Sequence, residues 1–301
     1  MSREGELARI AARQAGAFHR SQAVTAGYSA DQIGHRLKQR HWTGVLPCVY
    51  RFTATPETAQ SRRWSAWLWA GQDALLSHRT AAELWKFDGV ATSERVHVIV
   101  GRGRRLRSTI VDVHRTDVPV RLDRRHVDGL PVTSPEMTLI HLAPTLTGEA
   151  LEAAFESARR ERLVTSPSLE RCVARIAAHG RSGIAPVRTL LEVVGAEPAA
   201  ESLLEVKVAR LLRRERVVPQ AVRQHAVDGF RVDFAWPHLK VALECDGRRN
   251  HSDHDDFQRD RTKWSVLAAL GWRVLVVTWD DVVRRPGDVV GRLVQALACA
   301  A

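Results

Sequence analysis

Two apolar segments near the carboxyl end of the chain constrain its fold more than any other part of the sequence. The segments, Phe230 to Trp236 and Lys240 to Asp246, each alternate as β-strands do, and the short turn between them predicts a hairpin. Carboxylates interrupt both arms, with Asp233 in the first and Glu244 and Asp246 in the second. Because a buried charge is costly unless it is compensated, this hairpin needs a partner for its acids.

Alternation predicts where these carboxylates lie. One face of the first arm would comprise Val232, Phe234 and Trp236, with Asp233 on the other. Glu244 and Asp246 would share a face of the second arm, and pairing of the arms would bring Asp233 beside them. Converging carboxylates repel one another unless they share a cation, and oxygen ligands suit Mg²⁺. The hairpin therefore predicts a metal site suited to phosphodiester hydrolysis, although each acid alone could be an ordinary turn or salt-bridge residue.

The flanking segments predict the remainder of a domain. Ser202-Leu-Leu-Glu205 is a capping box that begins a helix, which gives Glu205 a structural explanation. A second helix is predicted from about residue 253 to 270, with Trp264 on its buried side, followed by a buried strand from Gly271 to Trp279. The order helix, strand, strand, helix, strand, helix predicts a mixed sheet flanked by helices.

The motifs of this segment occur in a fixed order. They are Ser202-x-x-Glu205, Arg231-Val-Asp-Phe234, Glu244-Cys-Asp-Gly247, His251, Arg259-Asp-Arg261 and Gly271-Trp-Arg-Val-Leu275. In these motifs, about residues 200 to 298 resemble the DUF559 endonuclease-like domains, which are related to very-short-patch-repair nucleases within the PD-(D/E)xK superfamily. The resemblance implies that Asp233 and Glu244 bind Mg²⁺ or Mn²⁺ and that Glu205 adds a third carboxylate. It also implies that His251 positions or deprotonates the attacking water.

One position departs from the wider superfamily. Its usual lysine, two residues after the second acid, is Asp246 here, as is common in DUF559-like sequences. Transition-state charge would then be met by the metal, His251, Lys263 or an arginine such as Arg248, and the sequence leaves this choice open. The candidate catalytic residues are Glu205, Asp233, Glu244, Asp246 and His251.

The first 55 residues have the element order of one class of DNA-binding domain, although three small helices and a hairpin also build many other domains. Three short helical patterns precede residue 41, and the third begins after Ser29, a good N-cap, with Ile33 and Leu37 on one face. Residues 41 to 52 then alternate as a small hairpin. This is the order of a winged helix-turn-helix, whose third helix enters the major groove. Its candidate DNA contacts are Arg36, Lys38 and Arg40.

A second concentration of positive charge lies in the middle of the chain. Residues 95 to 125 hold nine arginines against three acids, and Gly101 to Arg107 lies between two strand-like runs, Arg95 to Val100 and Thr109 to Arg115. We predict a basic hairpin whose tip is either solvated or in contact with a nucleic-acid backbone. The candidate contacts are Arg102, Arg104, Arg105 and Arg107. Five histidines of the same region show no paired spacing and predict structural or surface roles: His78, His97, His114, His126 and His141.

Three further segments share one resemblance. They are Phe18-His-Arg-Ser-Gln-Ala-Val-Thr-Ala-Gly27, Leu76-Ser-His-Arg-Thr-Ala-Ala-Glu-Leu-Trp85 and Gly129-Leu-Pro-Val-Thr-Ser-Pro-Glu-Met-Thr138. They are similar to the N-terminal part of AbiEi-type antitoxins from type IV toxin-antitoxin systems, over about 190 residues and without a catalytic signature. The resemblance implies a winged-helix DNA-binding regulator with a cognate nucleotidyltransferase-like toxin as a partner to be sought.

Composition limits the other classes. The 301 residues are 45% hydrophobic and 26% charged, which indicates a folded chain, and the formal net charge of +11 favours a polyanionic partner. The four cysteines lack the spacing of a zinc site. No apolar stretch approaches the roughly 18 residues of a membrane span, and no signal-peptide pattern opens the chain. We expect a cytoplasmic protein without zinc and without a membrane.

The sequence therefore predicts an α/β (α+β) multidomain protein. The expected parts are a winged helix-turn-helix in residues 1–55, a mixed α+β AbiEi-like domain with the basic hairpin in 60–195, and a restriction-endonuclease-like domain in 200–298. Metal-dependent cleavage of DNA is the leading hypothesis. The main alternative is a non-catalytic regulator of antitoxin type whose nuclease fold is a scaffold, and an RNA-directed nuclease is the third.

Overall fold

The computed structural model describes residues 2–118, 120–177, 182–195, 203–246 and 254–300, with side chains for all of these except 120, 121, 195, 203 and 254–260. The chain divides into two compact units, Met1–Thr189 and Leu190–Ala301. Among the described residues, no helix combines the length and apolar character of a membrane span.

The first unit begins with three helices and a small sheet. The elements are α1 (Arg3–Arg13), β1 (Ala17–His19), α2 (Arg20–Thr25), α3 (Ala30–Lys38), β2 (Trp42–Leu46) and β3 (Val49–Phe52), with sheet order β1-β3-β2. Ser29 caps α3 and Gln32 completes a capping box, so the predicted start of this helix is confirmed. The predicted hairpin is also present. Leu7, Phe18 and Trp42 form the buried core beneath these elements.

The rest of the first unit is a five-stranded sheet with helices. Its strands are β4 (Leu75–Leu76), β5 (Val96–Gly101), β6 (Val111–Thr116), β7 (Arg124–Val127) and β8 (Leu130–Thr133), in the order β6-β5-β4-β8-β7. Its helices are α4 (Ala59–Ala70), α5 (His78–Leu84), α6 (Pro135–Leu142), α7 (Gly148–Arg160) and α8 (Ser166–Ile176). Helix α9 (Ile184–Gly195) follows and includes the division between the units at residues 189 and 190.

The basic segment before β6 is not a hairpin tip. β5 and β6 pair in parallel, from Val96 opposite Val111 to Gly101 opposite Thr116, so residues 102–110 return along the whole strand. Both strands were predicted correctly, but their orientation was wrong because alternation identifies a strand and not its direction. Arg115 donates hydrogen bonds to the carbonyls of residues 104 and 106 and thereby holds the returning segment against β6.

The second unit is a mixed sheet flanked by helices, as predicted. Its elements are α10 (Leu203–Arg214), β9 (Val222–Val227), β10 (Phe230–Trp236), β11 (Val241–Asp246), α11 (His254–Ala269), β12 (Arg273–Thr278), α12 (Trp279–Arg284) and α13 (Pro286–Ala298). The sheet order is β12-β11-β10-β9, and β12 lies parallel to β11 while the other pairs are antiparallel. The hairpin of β10 and β11 is confirmed.

Each face of this sheet has its own core. Phe234 and Trp236 of β10 pack with Val241 and Leu243 of β11 and with α10, α12 and α13. Val232 packs instead with Ala235, Ala242 and Leu267 of α11. The predicted placement of Val232 beside Phe234 was therefore wrong, because the alternation of β10 is interrupted at Asp233.

The phase of α11 also differs from the prediction. Trp264 is 40% exposed, whereas Leu267 is fully buried against the sheet. Lys263 lies one turn before Leu267, so the same helix face directs a lysine and a leucine toward the sheet.

Four of the five histidines expected to be scattered form one stack. They are His78 of α5, His97 of β5, His114 of β6 and His141 of α6. The ring centroid of His78 lies 3.5 Å from that of His114 and 4.7 Å from that of His141. The ring centroids of His97 and His114 are 5.3 Å apart. Burial lowers the pKa of His114 to about 4, and burial and the neighbouring rings also lower the pKa of His78. The pKa of His97 is also lowered, mainly by burial, so His78, His97 and His114 are uncharged at neutral pH.

Acid should destabilise this fold through the stack. An unfolded histidine takes up a proton near pH 6.5, whereas folded His114 does so only near pH 4, so the unfolded chain binds more protons between these values. The free energy of unfolding should fall as the pH falls through this interval. We expect urea unfolding to show a larger loss of stability from about pH 7.5 to about pH 5 in the wild type than in His114→Gln.

The control for this comparison is His126→Gln, because His126 is exposed on β7 of the same unit. It should keep the wild-type pH dependence. A pH dependence in His114→Gln equal to that of the wild type would contradict the account.

Candidate functional site

Two carboxylates of the second unit share one hydrogen-bond donor. Glu205 of α10 is only 4% exposed, and its Oε2 lies 2.8 Å from Nε2 of Gln224 on β9. The same Nε2 lies 3.4 Å from Oδ1 of Asp233 on β10. Asp233 also accepts, through Oδ2, the backbone N–H of Cys245 on β11 at 2.8 Å. Asp233 is thus held by donors from both neighbouring strands.

A third carboxylate is paired with a lysine. Nζ of Lys263 lies 2.7 Å from Oε1 of Glu244, and these side chains are 16% and 13% exposed. Glu244 lies two residues after Ala242 and therefore on the same face of β11, which is the face that α11 covers. Because water has little access to this pair, solvent screens the attraction less than it would on the surface.

The pKa of the Cys245 thiol is affected by its burial and by all three carboxylates. Burial is the main cause that raises its pKa well above the ordinary value, and the negative charges of Asp233, Glu205 and Glu244 raise it further, while Arg223 opposes them. Three carboxylates therefore act on one point near the carboxyl end of β11.

The chemistry of these donors fits a divalent cation. Carboxylate oxygens are its preferred ligands, and Mg²⁺ commonly uses one or two of them with water. In the part of the chain that the structure describes, no three His, Cys, Asp or Glu side chains are arranged to hold a metal ion. Instead, Gln224 joins Glu205 to Asp233, and Lys263 is joined to Glu244. The first two acids are suited to a two-carboxylate site.

Comparison with known proteins places this site in a family. The family model REase_MTES_1575 matches residues 204–297. Two proteins of Mycobacterium tuberculosis, the uncharacterized proteins Rv2248 and MT2308, are each 32% identical over 232 residues, which cover 75% of this chain and 82% of theirs. The chain belongs to the Rv2248 family. Its C-terminal domain is restriction-endonuclease-like, and this much of the predicted resemblance is confirmed.

Two solved structures are also similar to this Rv2248-family chain. The homing endonuclease I-Bth0305I catalytic domain is 24% identical, with a TM-score of 0.25, and the match covers 33% of this chain and 94% of that one. The RV2827C protein of Mycobacterium tuberculosis is 15% identical, with a TM-score of 0.40, over 58% of this chain and 72% of that one. Because both TM-scores are low, the assignment depends on the family model and the relatives.

One of the remaining predicted site residues of this family member lies at the end of β11, and the others lie outside the described residues. Asp246 ends β11 and lies opposite Thr278 of β12. Four of these predictions fall outside the described residues: His251, Arg248, Ser202 of the predicted capping box, and residues 196–200 of the predicted domain boundary. Their roles stay predictions.

Sequence reasoning missed Gln224. A glutamine in a strand resembles an ordinary exposed polar residue, and its position opposite Asp233 follows only from the β9–β10 register. One signal in the sequence was the short separation between Gln224 and the hairpin of β10 and β11, which begins six residues later at Phe230.

The predicted DNA contacts of the first unit divide into two groups. Three are engaged within the protein: Arg36 lies 3.3 Å from Glu4, Arg102 lies 2.9 Å from Asp117, and Arg104 donates to the carbonyl of Ala70. The other candidates are Lys38, Arg40, Arg105 and Arg107, which are exposed, as are Arg102 and Arg104 despite their contacts. We take the first four as the better candidates for contact with a large partner, because Arg102 and Arg104 already have partners within the protein.

Removal of Lys263 should destabilise the second unit. Lys263→Met leaves the shielded carboxylate of Glu244 without its ammonium partner, which should lower the free energy of unfolding by about 1–3 kcal/mol. Urea unfolding measures this change. Lys240→Met is the matched control, because Lys240 is exposed and its ammonium group donates to a neutral group, the carbonyl of Leu270.

A double-mutant cycle isolates the ion pair. Glu244→Gln should recover part of the loss when it is combined with Lys263→Met, because the neutral amide needs no counter-charge. Strictly additive effects of the two substitutions would contradict a direct Lys263–Glu244 interaction.

Proposed function

We propose that the C-terminal domain hydrolyses phosphodiester bonds in DNA with the help of Mg²⁺ or Mn²⁺. The observation that supports this function is the pair of carboxylates, Glu205 and Asp233, that share one donor on Gln224. The ion pair of Glu244 with Lys263 adds a third acid and a lysine to the same domain. The restriction-endonuclease-like family supports the same reaction class.

Each residue has a proposed role in this reaction. Glu205 and Asp233 would hold the ion, and Glu244 would complete the carboxylate set. When bound, the ion would supply Lewis-acid chemistry, since it polarises the phosphodiester and makes water more acidic. His251 or Asp246 would take the proton from the attacking water.

Lys263 is our candidate for the positive charge that Asp246 does not provide. Its ammonium group has three N–H donors, so it can bond a phosphate oxygen while it stays beside Glu244. Of the groups that the sequence left open for this role, Lys263 lies among the described residues, and it contacts a candidate site carboxylate.

Nicking of supercoiled plasmid DNA tests the catalytic proposal. With Mg²⁺ or Mn²⁺ present, the wild type should convert plasmid to nicked or linear forms. Asp233→Asn and Glu205→Gln should each slow this by at least about 100-fold, the scale of losing one group that stabilises transition-state charge. The matched control is Asp228→Asn, because Asp228 lies in the exposed turn between β9 and β10. It should cleave at the wild-type rate.

Two outcomes would count against a nuclease. One is cleavage that persists unchanged in both site variants, which would indicate a contaminant or a different site. The other is a wild type that cleaves neither DNA nor RNA with either ion. Cleavage of RNA alone would favour the RNA-directed alternative.

We further propose that the first unit binds duplex DNA. The order α2, α3, β2, β3 supports a winged helix-turn-helix in which α3 enters the major groove. Exposed Lys38 and Arg40 at the end of α3, and Arg105 and Arg107 of the basic segment, would contact phosphates. We also propose that the protein meets this DNA in the cytoplasm.

A non-catalytic regulator of AbiEi antitoxin type is the second candidate function. The Lys263–Glu244 ion pair favours it, because a lysine already satisfies one of the proposed metal ligands. This candidate requires operator binding without cleavage and a nucleotidyltransferase-like toxin encoded nearby. It shares the DNA-binding proposal and differs only in the plasmid assay.

The salt dependence of DNA binding tests the phosphate contacts. Lys38→Gln and Arg40→Gln should each weaken binding to duplex DNA and reduce the slope of log K against log salt by about one. Fluorescence anisotropy with a labelled duplex measures both quantities. Arg171→Gln is the control, because it removes one exposed charge of α8 in the same unit. An equal change of slope in Arg171→Gln would show a general charge effect and would contradict contacts by α3.

A further inference from the structure

Gln224 makes the contact that ties two of the proposed metal ligands together. Its Nε2 atom lies 2.8 Å from Glu205 of α10 and 3.4 Å from Asp233 of β10. The two N–H bonds of one amide nitrogen can serve one carboxylate each. A single side chain from β9 thus connects a helix residue to a strand residue.

The orientation of this amide follows from its partners. Ionised carboxylates only accept hydrogen bonds, so the nitrogen of Gln224, and not its oxygen, must face Glu205 and Asp233. An amide nitrogen that donates both hydrogens has no lone pair for a cation. Gln224 therefore acts on the carboxylates themselves and is not a ligand through this atom.

The backbone at Gln224 is unusual for a strand. Its φ is 49°, in the left-handed region that residues other than glycine seldom adopt. The flanking pairs of the β9–β10 ladder are regular, with His225 opposite Val232 and Arg223 opposite Phe234. The irregular residue is the one that faces Asp233, and the alternation of β10 changes at the same place. Such local strain persists where the surroundings require it and is concentrated at functional sites.

We propose that Gln224 is a positioning residue that orients Glu205 and Asp233 for a divalent cation. The inference rests on the proposed function and adds to it the residue that arranges the ligand pair. Without the shared donor, the two carboxylates lose the contact that joins them directly. Substitution of a residue that orients metal ligands commonly weakens metal binding by about 10- to 100-fold.

Calorimetric titration of the full chain with Mn²⁺ tests this role. Gln224→Leu removes both N–H donors and should weaken Mn²⁺ binding at least about tenfold. The matched control is Gln220→Leu, because Gln220 is an exposed glutamine just before β9, and it should bind as the wild type does. Circular dichroism verifies that each variant is folded, and Gln224→Met replaces Gln224→Leu if the branched side chain prevents folding.

Plasmid nicking at varied Mn²⁺ supplies a second readout that a purely structural role would not change. The Mn²⁺ concentration for half-maximal nicking should rise in Gln224→Leu about as much as the dissociation constant, while the rate at saturating Mn²⁺ stays within a few-fold of the wild type. Both proposed ligands, Glu205 and Asp233, remain present in this variant, so a high Mn²⁺ concentration should restore metal binding.

The outcomes separate the inference from the proposed function. Wild-type Mn²⁺ affinity in folded Gln224→Leu overturns the positioning role and leaves the metal site intact. Failure of both Gln224 variants to fold also overturns it, since the amide would then serve the fold. A wild type that binds no Mn²⁺ overturns the proposed metal dependence itself.

Discussion

The hydrogen bond from the backbone N–H of Cys245 to Asp233 is the contact on which the candidate site depends. It joins the two arms of the apolar hairpin at the point where each arm acquires charge. Because the bond crosses between β10 and β11, it fixes Asp233 next to Glu244 without a regular ladder pair at that position. The apolar remainder of both strands is buried on the two faces of the sheet, which leaves the carboxyl end of β11 as the place where charge collects.

Compensation of these charges comes from elements outside the hairpin. β9 provides the amide of Gln224 to Glu205 and Asp233, and α11 provides the ammonium of Lys263 to Glu244. The acids near the end of β11 thus form two sets: Glu205 and Asp233 are bonded to an amide, and Glu244 is paired with an ammonium group. A lysine therefore lies beside Glu244, although the residue two positions after Glu244 is Asp246.

The hairpin, the mixed sheet and the capped start of α3 could all be predicted from sequence, because each has a local signal in alternation or capping. The directions of the strands and the faces that the helices bury could not be predicted. The parallel pairing of β5 and β6 depends on a crossover without a sequence signature. The face that α11 buries is set by Leu267 and Lys263, whereas its aromatic residue suggested another. The histidine stack escaped prediction because its members come from four elements, and Gln224 did so because its function lies in a tertiary contact.

A crystal grown with Mn²⁺ and measured at an energy where manganese scatters anomalously would test the central claim most directly. We expect an anomalous peak within coordinating distance of Glu205 and Asp233, near the end of β11. A peak placed elsewhere in the domain, or none at a Mn²⁺ concentration that supports cleavage, would contradict it.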